Sequence, residues 1–552
     1  MFSDPVVGEN FFGRQEIIDL IVKRATALKA GYRQNIAIIG HQQLGKTSVL
    51  RQFLHVFRDP DVLCIYVEIK FQELDYFVDQ FIRSLLFQYL SQKAQIDPIE
   101  SLPELCRMAS EFIPKTVSRI EEIANLLKQR HAADAYSKLF GLTSVVKQET
   151  GKSCIVILDE FHRLGEFGVR SAFLDFGKRI MVQKDTMYLL SSSSFSASKK
   201  ILAEKLSLLF GNFERIYLEP FGFETSFHFI MQKLAPVLIE PEHADFLVGF
   251  TDGHPFFLET IVSRAREIAM TKNEAQISGD SIAEALQKLV YESQGVLNQY
   301  FLTLLSPWTH LHVRGSQVRI LVEMAKGANK LKEICLAVNR NSREVSQQLK
   351  ELMDHELILK TGVFYRFHNK IFKFWLREVY EKKELSLLAS TAKSQSFTSQ
   401  VKQLLADYAE LVKMDVGARL VELLRLFRNE IVEFGEKKRQ LPHFTEFLSL
   451  DTERIVDGPY RDIIASGNGR CWVCRIVKER ASENDILQLL TQDAHGKSSP
   501  TRVLVALGGL DDNAKVLAKE KKIIALGLSR VNMLMDLYGK EPILSRRAET
   551  AE

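Results

Sequence analysis

The stretch NIAIIGHQQLGKTSVLRQFL, beginning at Asn35, constrains this 552-residue chain more than any other. An apolar run, Ile36 to Ile39, leads into a loop bounded by Gly40 and Gly45, and a helix-forming segment opens at Lys46. The order satisfies G-x-x-x-x-G-K-[ST] in full. Backbone N–H groups at a helix start can wrap phosphates only where glycines permit the turn and the close approach. Gly40, His41, Gln42, Gln43, Leu44, Gly45, Lys46, Thr47 and Ser48 are therefore expected to cradle the phosphates of ATP. Lys46 would reach the β and γ phosphates, and the Thr47 hydroxyl would ligate Mg²⁺. The plainer alternative, a helix start without a ligand, is weakened by the strand and helix that flank the loop.

A second stretch, KSCIVILDEFHRL, supplies the matching carboxylates. Its apolar run, Cys154 to Leu158, ends in Asp159 and Glu160. Unbroken apolar runs of this kind read as parallel strands buried on both faces, and carboxylates at the end of such a strand sit beside a phosphate loop. Asp159 is expected to bind Mg²⁺, directly or through water, and Glu160 to polarise the attacking water as general base. A strand end with a solvated acidic turn is the alternative, and it loses weight beside the upstream loop.

Composition sets the outer limits. With 46% hydrophobic and 26% charged residues the chain reads as globular, and its length predicts three or four domains. No apolar run approaches the roughly 18 residues of a bilayer span, and the opening MFSDPVVGENFFGRQE has acids at Asp4 and Glu9 and no apolar export segment. A cytoplasmic location is expected, without a membrane partner. Six scattered cysteines are too sparse for a disulfide framework. The net charge is only +4, so a nucleic-acid partner would have to be met by a local basic surface.

Three further stretches accompany the two motifs. FFGRQEIIDLI carries Gly13, Arg14 and Glu16, MYLLSSSSFS carries Ser192 and Ser193, and TDGHPFFLETI carries Gly253, His254 and Pro255. Together, in this order and spacing, they resemble the P-loop ATPases of the AAA+/STAND kind, particularly the archaeal-type ATPases with an appended winged helix, over residues 1 to about 300. The resemblance implies that Arg14 lies by the adenine pocket and that Ser192 and Ser193 occupy sensor-1 positions, Ser193 with a catalytic part. It also implies that Pro255 belongs to a G-x-P turn of a helical lid. That turn equally suits a plain helix start, with proline at the first helical position. The chain departs from the family where a Gly-Arg pair is usual: LFGNFERIYLEPF has Asn212 in the arginine's place and Arg215 three residues on. Arg215 is a candidate charge-stabilising finger, against the commoner role of a surface ion-pair residue.

Beyond Pro220 the apolar spacing turns helical. Residues 314 to 383 then give a helix, a turn at Gly327, a helix Leu331 to Val338, a helix from Ser342 as N-cap to about His355, and two short strands around Thr361-Gly362. This is the order of a winged helix-turn-helix. It holds 15 Lys or Arg against 8 Asp or Glu. Arg343, Ser346, Gln347 and Lys350 would form the outer face of the recognition helix, suited to phosphates and base edges; a protein-docking role is the alternative. The neighbouring Phe374 and Trp375 read as core.

Leu387 to Gln400, rich in Ser and Thr, reads as a linker, and VGARLVELLRLFRNEIVEF as a long amphipathic helix. Further on, RDIIASGNGRCWVCRIVKER resembles the strand–turn–strand of PD-(D/E)xK nuclease-like domains. The resemblance puts Asp462 at the metal-binding aspartate, Lys478 at the lysine and Glu422 at a helix carboxylate. Ile476 stands where a carboxylate is needed, which implies a degenerate nuclease. Cys471 and Cys474, three apart on a strand, point to opposite faces, against a shared zinc or redox site.

The expected architecture is α/β: a P-loop (RecA/AAA-like) parallel sheet over 1–220, a helical lid over 221–300, a winged helix over 301–385, a linker over 386–400 and a degenerate nuclease-like α/β domain over 401–545. The expected activity is an ATPase using ATP and Mg²⁺ as a switch coupled to double-stranded DNA. The alternatives are a slow-turnover scaffold meeting proteins or a second copy of the chain, and an ATP-gated nuclease.

Overall fold

Five parallel strands carry the first half of the chain: β1 (Asn35–Ile39), β2 (Val62–Glu68), β3 (Ser153–Asp159), β4 (Thr186–Ser192) and β5 (Phe213–Tyr217), in the order β2-β3-β4-β1-β5. They belong to a computed structural model that describes residues 4–70, 73–93, 101–206, 213–309, 315–384, 390–434, 437–451, 461–492 and 500–543. Two compact units are formed, Ser3–Pro220 and Phe221–Glu552. Asn212, Arg314 and part of the expected linker lie outside the described residues.

Alternation along the strands explains why both faces of this sheet are covered. Ile36 and Ile38 join a core with α1 (Gln15–Lys29) and α2 (Lys46–Val56), while Ala37 and Ile39 join a larger one with α3 (Leu74–Ser91) and four further helices between Leu102 and Val182. The order places β4 between the loop-bearing β1 and the carboxylate-bearing β3. Ile39 is in register with Ser192 and Leu158 with Leu190, so the ends of all three strands reach one edge.

The second unit begins with helices Phe223–Leu234, Pro241–Thr251, Pro255–Thr271 and Gly279–Leu286. Helices Gly315–Ala325, Leu331–Val338 and Ser342–Asp354 follow, then an antiparallel hairpin of Ile358–Thr361 with Phe364–Phe367. Two details differ from the sequence reading. Asn341, not Ser342, caps the third helix, its side chain accepting from the Glu344 N–H at 3.0 Å. The pairing of Thr361 with Phe364 makes Gly362 and Val363 the turn residues.

Two segments fold differently from expectation. The expected linker is helical from Ser390, within a helix Ser390–Lys413. Phe397, Val401, Leu405 and Tyr408 recur at helical spacing and are buried, which outweighs the Ser/Thr-rich composition. The long helix expected over 416–434 ends at Leu424. Asn429 takes a left-handed φ of 65°, and Ile431–Phe434 pairs with Lys437–Gln440 as a hairpin. Too few turns carried the helical pattern for it to compete with a β-branched run.

A second five-stranded sheet follows, in the order Glu446–Asp451, Arg461–Gly467, Arg470–Val477, Thr501–Ala506, Ile524–Gly527. The first three strands are antiparallel neighbours and the last three parallel ones. Asn468 and Gly469, at φ of 50° and 72°, make the two-residue turn that Asn-Gly favours. Cys471 and Cys474 face opposite sides of their strand, each buried in a different apolar cluster.

The Gly362 turn is docked onto the chain that follows. The Val363 N–H donates to the Ile431 carbonyl at 3.0 Å, and a Cβ on Gly362, whose φ is 68°, would collide with that carbonyl. Lys330 pairs with Glu430 at 3.1 Å, and the Tyr538 hydroxyl donates to Glu430 at 3.0 Å. Gly362→Ala is therefore expected to destabilise the second unit by about 1–3 kcal/mol, the scale of one strained left-handed residue, read as a lower urea midpoint.

Candidate active site

The phosphate loop gets its shape from residues that tolerate what others do not. Gly45, the residue before α2, has φ of 89°, and Gln43 has φ of 60°. Gly40 passes so close to β5's exit that an added Cβ would lie 2.8 Å from the Leu218 carbonyl oxygen. The Gly40 N–H donates to Ser192 O at 3.2 Å and the Leu218 N–H to Ile39 O at 2.7 Å, which fixes the loop to both neighbouring strands. No side chain caps α2, so its first N–H groups face the loop. Lys46 is buried, its ammonium donating to the His41 carbonyl at 2.7 Å.

Asp159 lies wholly buried at the end of β3 and gathers three hydroxyls. Thr47 Oγ1 donates to its Oδ2 at 2.6 Å, Tyr66 Oη to the same oxygen at 3.2 Å, and Ser191 Oγ to Oδ1. Burial, with Asp159 and Glu68 nearby, pushes the Tyr66 phenol well above its ordinary pKa, so it remains a donor. Glu160 follows with a left-handed φ of 62°. Its Oε2 accepts from the Ser193 N–H and Oγ, each at 2.8 Å, and lies 3.3 Å from His162 Nδ1, which is itself 2.8 Å from Ser192 Oγ.

The structure thus brings together Lys46, Thr47, Asp159, Glu160 and Ser193. Ser191, Tyr66 and His162 were missed by the sequence reading. Ser191 begins the serine run that was singled out, but Tyr66 and His162 carry no local signal, because their places depend on strand order and on the turn after β3. The chemistry of the set suits a triphosphate with Mg²⁺: Lys46 supplies a cation beside the loop, while Thr47 and Asp159 supply hard oxygens 2.6 Å apart. No group of three His, Cys, Asp or Glu side chains among the described residues could hold a metal by itself, so a Mg²⁺ here would draw further oxygens from the phosphates and water.

Other expected site residues fall elsewhere. Arg14, at φ of 63°, donates to the Glu219 carbonyl at 2.5 Å, and burial lowers its guanidinium pKa to about 10 against the pull of Glu219. Arg215 is exposed on the edge strand β5, in register with Ala37 at the middle of β1 rather than with the loop, so it does not join the cluster. Pro255 belongs to the second unit, where it opens a helix; a Cβ on the adjacent Gly253 would collide with the Phe221 carbonyl.

The nuclease-like positions are not assembled for metal. Asp462 is wholly buried and bridged by Arg475, with Nε to Oδ1 at 2.8 Å and Nη2 to Oδ2 at 2.7 Å. Arg475 also donates to Gln488 at 3.1 Å. Glu422 pairs instead with Lys540 at 3.1 Å. The guanidinium takes the carboxylate edge that a cation would need, a pairing that arises only when the two strands align Asp462 with Arg475. Arg475→Ala is expected to cost about 3–5 kcal/mol by leaving a buried carboxylate unpaired, measurable by urea unfolding of the whole chain.

No helix among the described residues is long and apolar enough to cross a membrane. Residues 10–174 match the AAA ATPase domain family, so the first unit contains an AAA-type ATPase domain. No curated protein matches the chain. Among solved structures it is similar to the Walker-type ATPase of Pyrococcus abyssi, at 16% identity and a TM-score of 0.47, over 68% of this chain and 99% of that one. It is also similar to the Aeropyrum pernix ORC2 protein in ADPNP–ADP complexes, at 13% identity and a TM-score of 0.42, over 73% and 97%. The A. pernix ORC1 protein in complex with DNA aligns at 13% identity and a TM-score of 0.37, over 72% and 94%.

Proposed function

We propose that the first unit binds ATP with Mg²⁺ and hydrolyses it, and that the nucleotide state governs how the basic helical module meets duplex DNA. The observation that carries this reading is the Thr47–Asp159 contact at 2.6 Å, which joins the phosphate loop to the strand-end carboxylate across the intervening β4. In this reading the backbone from Gly40 to Ser48 holds the phosphates, Lys46 releases the His41 carbonyl to meet the β and γ oxygens, and Thr47 and Asp159 hold the cation. Mg²⁺ bound there would neutralise phosphate charge and polarise the γ-phosphoryl group. Glu160 accepts a proton from the attacking water, and Ser193 and His162 keep its carboxylate aimed. Arg14 tethers the segment after β5 through the Glu219 carbonyl.

The module from Gly315 to Phe367 is read as a winged helix, its third helix as the DNA-facing element. Support comes from Arg343, Ser346, Gln347 and Lys350, which are all exposed, while Val345, Leu349 and Leu352 of the same helix are buried. The hairpin turn already packs on Ile431, which leaves the helix as the main contact surface. Because the hairpin turn is already engaged within the chain, a second reading has the module holding proteins. The C-terminal sheet is read as a nuclease-like fold without nuclease activity, on the strength of the Asp462–Arg475 bridge.

Glu160→Gln is expected to lower ATP turnover by roughly 10²–10⁴-fold, the worth of a general base, while leaving nucleotide binding intact in a filter-binding assay; Lys46→Ala should weaken binding itself. For the DNA half, Arg343→Ala with Lys350→Ala should flatten the slope of log affinity against log salt by up to about 0.9 for each phosphate that is no longer neutralised. An unchanged slope would favour the protein-binding reading.

A further inference from the structure

The first unit holds a cavity of about 750 Å³, walled by the second half of α2 and the chain after it, β2 and the end of α3. Its origin lies in the sheet order. β2 is an edge strand, and on the face shared by α1 and α2 two helices cover five strands, so the cavity forms at its border, floored by the buried Val62 and Cys64 with the half-buried Tyr66 beside them. The volume falls within the range typical of small-molecule sites, roughly 300–1,000 Å³.

The wall carries two arginines and two aromatic residues. Arg51, His55 and Arg58 line it together with Phe57, Tyr66 and Gln88. Asp59, a carboxylate in the same wall, is engaged by Lys29 at 3.1 Å. Guanidinium forks match phosphate oxygens, and flat rings beside them offer a face to a planar base. Two arginines close to aromatic surface suit a phosphate with a ring attached better than a bare ion.

The cavity also touches the candidate active site through one side chain. The Arg51 guanidinium lies 5.8 Å from the centre of the Tyr66 ring, and the Tyr66 hydroxyl donates to Asp159 at 3.2 Å. Arg51 stands four residues after Thr47 on α2, one turn along the same face. A ligand that draws Arg51 toward a phosphate would move it relative to the Tyr66 ring and alter the Tyr66 bond to Asp159.

We propose that this cavity is a second, regulatory binding site for a phosphorylated ligand of mononucleotide size, its phosphate held by Arg51 and Arg58 and its base set against Tyr66 and Phe57. The binding half stands on the cavity alone; the coupling half rests on the ATP-binding reading of the neighbouring site. By linkage, the occupant changes the affinity for ATP by the same factor as ATP changes its own.

The test uses the full chain with AMP as probe, titrated calorimetrically with and without saturating Mg²⁺ and a non-hydrolysable ATP analogue. One AMP site should persist with the analogue bound, and Arg58→Ala or Arg51→Ala should weaken it by roughly tenfold or more, the worth of a charge-assisted hydrogen bond. Tyr66→Phe should still bind AMP but lose the AMP-dependent shift in analogue affinity. If AMP, pyrophosphate and inorganic phosphate all fail to bind at millimolar concentration, or bind equally well to both arginine variants, the proposal is overturned. Failure of the analogue alone to bind would refute the ATP reading, while Arg58-dependent AMP binding would still uphold the cavity site.

Discussion

Asp159 is a wholly buried carboxylate, and the organisation of the first unit turns on how it is satisfied. A buried carboxylate without donors is costly, and here the donors come from three separate elements: Thr47 from α2, Tyr66 from β2 and Ser191 from β4. Each reaches Asp159 only if β4 lies between β1 and β3 and β2 lies beyond β3. The strand order and the polar cluster thus require one another. The same cluster explains why Ser191 is a buried serine near the end of β4, while the buried Ser192 is satisfied by His162.

Glu160 is positioned by a different device. Its left-handed backbone turns the side chain away from Asp159, toward the Ser193 amide and His162. Adjacent carboxylates are thereby separated into two environments, one buried among hydroxyls and one at the mouth beside an imidazole. Such a division lets one group serve charge and the other serve proton transfer.

What was legible in the sequence was local. The loop from Gly40 to Thr47 and the pair Asp159–Glu160 are contiguous, and their chemistry follows from residue type and order. Tyr66 and His162 were not legible, because an edge-strand tyrosine acquires meaning only through the register that sets Glu68 opposite Asp159. The α/β character and parallel sheet were visible in the apolar runs. Ser390–Lys413 and Ile431–Phe434 were not: in the first, composition hid a buried stripe, and in the second, apolar residues fitted both periods until hairpin pairing chose one. Arg475 shows the limit most plainly, since an arginine beside a cysteine pair gives no hint that it bridges Asp462 across the strands.

Coupling of ATP hydrolysis to DNA is tested most directly by phosphate release from ATP, measured on the unaltered chain in Mg²⁺ with and without duplex DNA over a range of salt. It predicts release that requires Mg²⁺ and that duplex DNA changes at low salt and less so at high salt. Nucleotide binding without release above background, indifferent to DNA at every salt concentration, would contradict it.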